Sequence, residues 1–321
     1  MPDDWLFPPD PHSYAGLLFI GDPHVAASPP GYRLDHYTQA ILGKLAFSLL
    51  IAQDHNFLPI ILGDLFHVPR NNPNSLLVDL IELFSRCNPF VLVGNHDKHE
   101  ARLTRDVSLA VIQAARVIRL IDRPGPVCTL KISDCRVLLG ASPDWTPLPS
   151  RIDRGTHDFV IWLTHHDLGF PGYDIARFPL KEIPGIDMVI NGHLHTPKPP
   201  RQCGGTVWFN PGGIARLTLS PSTRNIIPSA FIWKPPDREL APVPLPHRPF
   251  TEIFPELPGQ DESGPDQDPE SLFIRGLENL LMRKTTEGVG LKAFLDANLS
   301  TNDPIDAYIW KLYEEVMHEE K

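Results

Sequence analysis

The sequence predicts an α/β fold, a four-layer αββα sandwich with a C-terminal helical appendage. Three observations lead to this prediction. In the first half, short apolar runs alternate with helical segments, a pattern typical of layered α/β folds. In the second half, short apolar runs follow one another with few helical segments between them. After residue 253 the chain becomes rich in Pro, Gly and acidic residues before helical periodicity returns. We therefore expect one large domain (1–253), a linker (254–270) and a helical appendage (271–321).

The first half contains three predicted strands and two predicted helices. The strands are apolar and each leads into a glycine: Leu17–Ile20, Leu58–Leu62 and Phe90–Val93. Asp35 is placed to cap a helix that runs to about Gln53. Its apolar side is predicted to comprise Ile41, Leu45, Leu49 and Leu50. A second helix is predicted from about Ser75 to Cys87.

The second half is predicted to be mostly strand. Val127–Ile132 and Arg136–Gly140 have the pattern of a β-hairpin. The further strands predicted are Phe159–Leu163, Met188–Ile190, Val207–Phe209, Ile214–Leu217, Ala230–Trp233 and Leu240–Leu245. We expect the strands of the two halves to form the two facing sheets.

The net charge of −10 is unevenly distributed. Residues 255–321 carry a net charge of −9, which leaves about −1 for the rest of the chain. No basic excess therefore indicates nucleic-acid binding, and any such function must rest on the site itself. The four cysteines form no CxxC pair and no apolar run approaches the roughly 20 residues of a membrane span. We expect a cytoplasmic protein without membrane attachment.

The C-terminal appendage has three predicted helices. They cover Ser271–Lys284, Gly290–Asn298 and Pro304–Glu320, after a flexible acidic linker. Apolar residues recur at helical spacing in the last of them. The appendage is too small to form its own core, so we expect it to pack against another surface.

Metal-ligating residue types recur at the predicted strand ends. The five segments concerned are Gly21–His24, Gly63–His67, Gly94–Asp97, Thr164–His166 and Asn191–His195. Any one of them alone is an ordinary turn or exposed strand edge, but chance does not readily place five in order. Carboxylate and amide oxygens mixed with imidazoles suit Mn, Fe or Zn, whereas an all-oxygen set would suit Mg or Ca. The mixture predicts a two-metal hydrolase of phosphate esters.

In order, the five segments resemble the pattern of the calcineurin-like metallophosphoesterases: D-x-H, G-D, G-N-H-D, H and G-H-x-H. Asn210-Pro211-Gly212-Gly213 is similar to the turn that follows in that family. The resemblance implies one divalent metal held by Asp22, His24 and His195, and a second held by Asn95, His165 and His193. Asp64 would bridge the two ions, and a hydroxide between them would attack phosphorus in line. Mn is the expected metal, with Fe or Zn as alternatives.

The resemblance also implies two catalytic roles. His96 would stabilise the reacting phosphate or protonate the leaving oxygen, and Asp97 would orient His96. His165 and His166 are adjacent, so only one can point inward on an extended chain. The family pattern favours His165, and His166 is expected at the solvent side or at the rim of the substrate site.

A closer resemblance concerns the SbcD-type DNA repair exonucleases. Three segments are similar to that branch: Asp22-Pro23-His24, Arg33–Asp35 before the first helix, and Gly63–His67 with Pro69-Arg70. The resemblance implies a Mn-dependent DNA nuclease in which His67 assists in the active site. It also implies a coiled-coil ABC-type ATPase partner bound through residues 271–321. The chain departs from this branch in having no evident DNA-capping domain.

Local charge leaves the substrate open. Arg70, Lys98, Arg102 and Arg105 lie near the motifs and either contact a phosphate backbone or form ordinary surface. The first alternative function is a small-substrate phosphodiesterase or phosphatase, which suits the near-neutral body and the missing cap. The second is a non-catalytic scaffold, which the intact set of ligand residues argues against. A homodimer is left open.

Overall fold

The computed structural model describes residues 5–30, 33–173, 176–218 and 221–254. Its strands in chain order are β1 (Ser13–Tyr14), β2 (Gly16–Ile20), β3 (Phe57–Ile61), β4 (Phe90–Leu92), β5 (Arg119–Ile121), β6 (Gly125–Ile132), β7 (Cys135–Ser142), β8 (Phe159–Thr164), β9 (Met188–Asn191), β10 (Lys198–Cys203), β11 (Thr206–Asn210), β12 (Ser229–Trp233) and β13 (Ala241–Pro244). Its helices are α1 (Tyr37–Asp54), α2 (Asn74–Phe84), α3 (Ser108–Ala114), α4 (Pro221–Arg224) and α5 (Phe250–Ile253).

The strands form two sheets, as the sequence predicts. One has six strands in the order β13-β12-β2-β3-β4-β5, and β2 to β5 run parallel. The other has seven strands in the order β1-β6-β7-β8-β9-β11-β10. Its β6 and β7 form the predicted antiparallel hairpin, and β7, β8, β9 and β11 run parallel. The mixed α/β class with two sheets is confirmed.

The side chains of β2 alternate between the two faces of its sheet, and this alternation shows how the layers are arranged. Leu17 and Phe19 pack in the core that the two sheets share, which also contains Val137 of β7. Leu18 and Ile20 pack on the other face, with Leu45 of α1. Successive side chains of a strand point to opposite faces, so a run that is apolar throughout fills two cores at once.

Helix α1 covers the outer face of the six-stranded sheet. Ile41, Leu45 and Leu49 are buried at a spacing of four residues, as predicted. Leu50 is 51% exposed, so its assignment to the apolar side is wrong. It lies one residue, or about 100°, around the helix from Leu49. Asp35 does not cap α1 either, because both of its oxygens accept hydrogen bonds from Arg33 at 2.9 and 2.6 Å.

The outer face of the seven-stranded sheet is covered by loops in the described part of the chain. Trp162 and Trp208 point outward from this sheet and pack against Phe170 and Ile186, which lie between β8 and β9. The helical layer thus lies on one side of the described sandwich. On the other side, apolar loop residues bury the sheet.

Several elements differ from the sequence-based expectation. The segment Ile214–Leu217 is not a strand, and the backbone of Ile214 bonds Gly21 O at 2.8 Å and Lys44 Nζ at 2.6 Å. Strand β10 was not predicted because it contains two prolines, which an edge strand tolerates. The short strands β1 and β5 and the short helices α3, α4 and α5 were also missed.

The predicted helices of the appendage and nearly all of the predicted linker fall in 255–321, outside the described residues. Within the described ranges, no helix combines the length and hydropathy that a bilayer crossing requires.

Candidate metal centre

Five loops meet at one end of the sandwich. They follow the carboxyl ends of β2, β3, β4, β8 and β9, which come from both sheets. Parallel strands of one sheet end at the same edge, so the loops that follow them become neighbours. The first two loops are joined directly, because His24 N donates to Asp64 O at 2.8 Å and Val25 N to Leu65 O at 2.8 Å.

His24, Asp64 and His195 form a first cluster whose potential ligand atoms all lie within 4.8 Å of one another. The Nε2 atoms of His24 and His195 are 2.9 Å apart, and His24 Nε2 is 3.5 Å from Asp64 Oδ2. Nitrogens that sit cis on one ion with bonds of about 2.1 Å are about 3 Å apart. The pair therefore has the spacing of two ligands on one metal.

Asp64, His165 and His193 form a second cluster of the same kind. His165 Nε2 lies 3.2 Å from Asp64 Oδ2 and 3.1 Å from Asn95 Oδ1. His193 Nδ1 lies 2.9 Å from the same Asn95 oxygen. Asp64 thus belongs to both clusters, which is the place of a bridging carboxylate.

Asp22 lies against the second cluster and is itself a member of neither cluster. Its Oδ1 accepts a hydrogen bond from His193 N at 3.0 Å and is 3.7 Å from His165 Nδ1. Its Oδ2 is buried and has no hydrogen-bond partner among the described residues. A buried carboxylate oxygen without a partner is costly, and a cation would satisfy it. The donor set therefore fits divalent metal ions.

The backbone at these positions is unusual. Asp22, His24, Asp64 and His193 all have positive φ, from 34° to 72°, although none is glycine. Such conformations cost free energy and are found at functional sites. At Gly94 the constraint is space, since a Cβ there would lie 2.1 Å from Asp64 Oδ1. Close backbone approach thus helps to place the shared carboxylate.

The structure brings His165, and not His166, into the clusters. His165 Nδ1 donates to Leu62 O at 2.8 Å, so its Nε2 faces Asp64. A ligand histidine is commonly oriented in this way by a carbonyl. His166 Nε2 donates to Thr146 O at 2.7 Å, and His166 is only 3% exposed. The expectation that His166 lies at the solvent side or at the rim is wrong, because this hydrogen bond draws it into the protein.

Asp167 holds the other side of His193, a role that the sequence motifs did not reveal. His193 Nε2 contacts Asp167 Oδ1 at 2.8 Å. Asp167 also accepts from Tyr173 Oη at 2.6 Å and from Arg177 Nε at 3.2 Å. Burial raises the pKa of Asp167, but His193, Tyr173 and Arg177 outweigh it and lower the pKa to about 2. The available signal was a carboxylate two residues after His165.

The pKa shifts in the centre indicate which of its groups are charged and which are neutral. Burial raises the pKa of Asp22 to about 6, and the nearby Asp64 charge adds to this. Burial opposes the shift at Asp64, yet His165 and His96 hold the pKa of Asp64 well below its usual value. Burial lowers the pKa of His195 to about 3 and that of His24 well below its usual value, with neighbouring histidines contributing. Both residues are therefore neutral imidazoles, the state that binds metal.

His165 behaves differently from the other two. Burial alone would lower its pKa, but the charge of Asp64, a hydrogen bond to that carboxylate and the charge of Asp22 raise it to about 10. In the protein alone a proton on Nε2 thus balances the carboxylates. A divalent ion in the same position would replace that proton.

His96 and His67 lie beside the first cluster. With His24 they form a third group whose potential ligand atoms lie within 4.8 Å of one another. His96 N donates to Asp64 Oδ1 at 2.8 Å, and His96 Nδ1 donates to His67 O at 2.8 Å. Burial and the neighbouring His96 lower the pKa of His67 to about 4. The backbone of His67, rather than its ring, orients His96.

The expectation that Asp97 orients His96 is wrong. Its Oδ1 accepts from Phe66 N at 3.1 Å and its Oδ2 from Gly94 N at 2.9 Å. Burial and the charge of Asp64 raise the pKa of Asp97 to about 7. Buried backbone N–H groups need acceptors, and Asp97 supplies them to the loops after β3 and β4. Asp97 therefore fastens two loops of the centre together.

Comparison with known proteins adds a family match. A model of the family described as calcineurin-like phosphoesterase matches residues 16–197, more than half of the chain. A comparison with curated proteins gave no significant match. Among solved structures, a 5′-nucleotidase precursor from Thermus thermophilus is similar over 68% of this chain, with 12% identity and a TM-score of 0.39. The match spans 50% of that structure, and a likeness of this degree bears on neither substrate nor mechanism.

Proposed function

The chain belongs to the calcineurin-like phosphoesterases and is thus a metal-dependent phosphoester hydrolase, and on that premise we propose that it cleaves phosphodiesters with two metal ions that share Asp64. The observation that carries the proposal is the presence of Asp64 in both ligand clusters. As the motif pattern implies, Asp22, His24 and His195 would hold one ion, and Asn95, His165 and His193 would hold the other.

When bound, two such ions supply an activated water and neutralise charge on the reacting phosphate. The chain contributes the orientation of their ligands. Leu62 O holds the His165 ring and Asp167 holds the His193 ring, so the atoms facing Asn95 are fixed before substrate binds. Mn, Fe and Zn all suit a set of imidazoles, carboxylates and an amide, and we propose Mn.

His96 is the residue best placed for proton transfer. Because its Nδ1–H donates to His67 O, the remaining Nε2 is the atom that can reach a substrate. A protonated Nε2 can donate to the leaving oxygen or to a phosphoryl oxygen as negative charge develops there. His67 supports this arrangement through its carbonyl, and its ring adds a further imidazole beside His24.

As substrate we propose DNA, with a role in repair or recombination. The support is the position of His67, which lies with His24 and His96 at the centre, as expected from the similarity to SbcD-type exonucleases. For the same reason we propose a coiled-coil ABC-type ATPase as partner. The segment that would bind it, 271–321, is outside the described residues.

One observation favours the second candidate, hydrolysis of a small phosphodiester or phosphomonoester. Two of the four cations near the motifs are already paired with carboxylates, Arg70 with Asp106 and Lys98 with Asp144. Paired cations attract a polyanion less strongly than free ones. Arg102 and Arg105 are exposed on the surface.

Hydrolysis assays with Mn separate the two candidates. The substrates are linear duplex DNA, single-stranded DNA and bis-p-nitrophenyl phosphate, each assayed across a range of salt concentrations. A DNA nuclease should cleave DNA with a steep dependence on salt, because binding releases counterions. Turnover of the small ester with DNA inert at every salt concentration would exclude the nuclease and leave the small-substrate enzyme.

A further inference from the structure

Trp145 is an exposed aromatic residue that the chemistry proposed above does not use. It lies between β7 and β8, and 61% of it is exposed, whereas Trp162 and Trp208 of the same sheet region are buried. Tryptophan carries a large apolar surface whose exposure is unfavourable, and it usually lies mostly buried. A ring left this exposed beside a candidate active site therefore calls for a functional explanation.

The loop that carries Trp145 is tied to the loops of the metal centre. Asp144 N donates to Val93 O at 3.1 Å, directly before the loop that holds Asn95. On the other side, Thr146 O accepts from His166 Nε2 at 2.7 Å, next to ligand candidate His165. The loop that carries Trp145 is thus attached beside the second cluster.

Two cations lie close to the ring. The guanidinium carbon of Arg177 is 5.0 Å from the ring centroid, and Lys98 Nζ is 6.0 Å from it. Lys98 also pairs with Asp144 at 2.7 Å, and Arg177 with Asp167 at 3.2 Å. These cation–π contacts restrain the ring, although most of it stays open to solvent. An aromatic surface already held in place loses little entropy when a ligand stacks on it.

The backbone of Trp145 is also unusual. Its φ is +66°, a left-handed conformation that is a clear outlier for a bulky residue. Smaller residues adopt this conformation more easily, so local backbone preference does not account for tryptophan here. Strained positions of this kind occur where a side chain must be presented in one direction.

We propose that Trp145 is a stacking platform for the nucleobase of a substrate whose phosphate lies at the metal centre. The inference rests on the proposed function, because it assigns the substrate class of the same site. A flat, exposed indole that is held in place suits a nucleobase, because stacking on an aromatic ring tolerates any base. The base can belong to a mononucleotide ester or to a DNA strand, which share this chemistry.

Two matched esters test the proposal. The p-nitrophenyl esters of thymidine 5′-phosphate and of 1,2-dideoxyribose 5-phosphate have the same leaving group and differ in the base. Trp145→Ala should lower kcat/KM for the base-bearing ester by about 5- to 100-fold. The base-free ester should change less than about twofold, and Trp145→Phe should retain most of the activity because a smaller ring still stacks. Leu50→Ala, which removes a side chain 51% exposed on α1, is the control and should change neither ester.

An oligothymidylate and an abasic strand of equal length identify the source of the base. If Trp145→Ala shows a base-dependent loss of kcat/KM on the oligonucleotide alone, the platform binds a base of a DNA strand. If it shows the loss on the mononucleotide ester as well, the platform binds the base of the nucleotide that is cleaved. Equal losses with and without a base, or no loss on any substrate, overturn the proposal.

A binding measurement tests the stacking role of Trp145 independently of the proposed hydrolytic activity. If the wild-type protein with Mn hydrolyses none of these substrates, the proposed function fails. Titration with thymidine 5′-phosphate then decides the platform alone. Quenching of tryptophan fluorescence should be clear in the wild type and largely lost in Trp145→Phe. Equal quenching in both proteins contradicts the stacking role.

Discussion

The Nε2 atoms of His24 and His195 lie 2.9 Å apart, although the two residues follow strands of different sheets. Burial and neighbouring histidines lower the pKa of both residues, so neither ring carries a positive charge near neutral pH. Two neutral nitrogens at this distance either share one hydrogen or face a common cation. Asp64 Oδ2 lies 3.5 Å from His24 Nε2, and the buried Oδ2 of Asp22 has no hydrogen-bond partner among the described residues, so a cation is the better explanation.

Metal removal should therefore destabilise the folded protein. Ligands that bind the native state at 100 to 1,000 times their Kd contribute roughly 3–4 kcal/mol, which here corresponds to about 5–15 °C in Tm. Thermal unfolding in EDTA, followed by re-addition of Mn, measures the shift. His195→Gln should show a much smaller shift, and His12→Gln, an exposed histidine outside the centre, should behave like the wild type. An unchanged Tm in EDTA would contradict the assignment.

Asp167→Asn should weaken metal binding without removing a ligand. The substitution keeps the shape of the side chain but loses the charge that orients His193. Loss of such a supporting carboxylate typically lowers metal affinity about 10- to 100-fold. Titration with Mn measures the affinity, and kcat at saturating Mn should stay close to that of the wild type. The control is Asp134→Asn, which changes an exposed carboxylate in the β6–β7 turn.

His96→Ala should separate catalysis from metal binding. The variant should keep its metals, because we assign no ion to His96, and should lose about 10²- to 10⁴-fold in kcat. Metal analysis by mass spectrometry and steady-state hydrolysis of bis-p-nitrophenyl phosphate give the two values. Because p-nitrophenolate leaves without a proton, full activity in this variant would show that His96 does not stabilise the charge that develops on the phosphoryl oxygens.

Lys44 should make the stability of the protein depend on pH. Burial, then Arg33 and Arg216, lowers the pKa of Lys44 to about 7. The pKa of lysine in the unfolded chain is about 10.4, so between these values the unfolded state binds more protons than the native state. The free energy of unfolding should accordingly rise with pH in this window, by about 2–3 kcal/mol from pH 7 to pH 9.

Urea unfolding of Lys44→Met at the same two pH values checks this prediction. Methionine has a similar length and no charge, so the increase with pH should be strongly reduced. Lys131→Met, which changes an exposed lysine of β6, should retain it. If Lys44→Met and the wild type showed the same increase, the buried ammonium would not be its origin.

Most strands were predictable from the sequence. They are apolar runs bounded by glycine, and such runs form strands that are buried on both faces of a sheet. The exception at Ile214–Leu217 shows the limit of that signal. The run is apolar because it is buried, but its backbone bonds go to Gly21 and to the Lys44 side chain, not to a neighbouring strand. An apolar pattern indicates that a segment is buried, whereas the hydrogen-bond partner of its backbone depends on the tertiary structure.

The same limit applies to the site. The motif order brought out every residue of the two ligand clusters, because strand ends in parallel sheets meet at one edge. The orientation of His166 depends on Thr146 O, which lies 20 residues away in sequence. The prediction for Asp97 was wrong for a similar reason. Its carboxylate accepts hydrogen bonds from Phe66 N and Gly94 N and not from the adjacent His96.

The most direct test of the two-metal account is the metal content and hydrolytic activity of Asp64→Asn beside the wild type. After reconstitution with Mn, the wild-type protein should hold two ions per chain and hydrolyse bis-p-nitrophenyl phosphate. Asp64→Asn, shown to be folded by circular dichroism, should hold less than one ion and lose hydrolysis, because Asp64 belongs to both clusters. An Asp64→Asn protein that kept two ions and full hydrolysis would contradict the account.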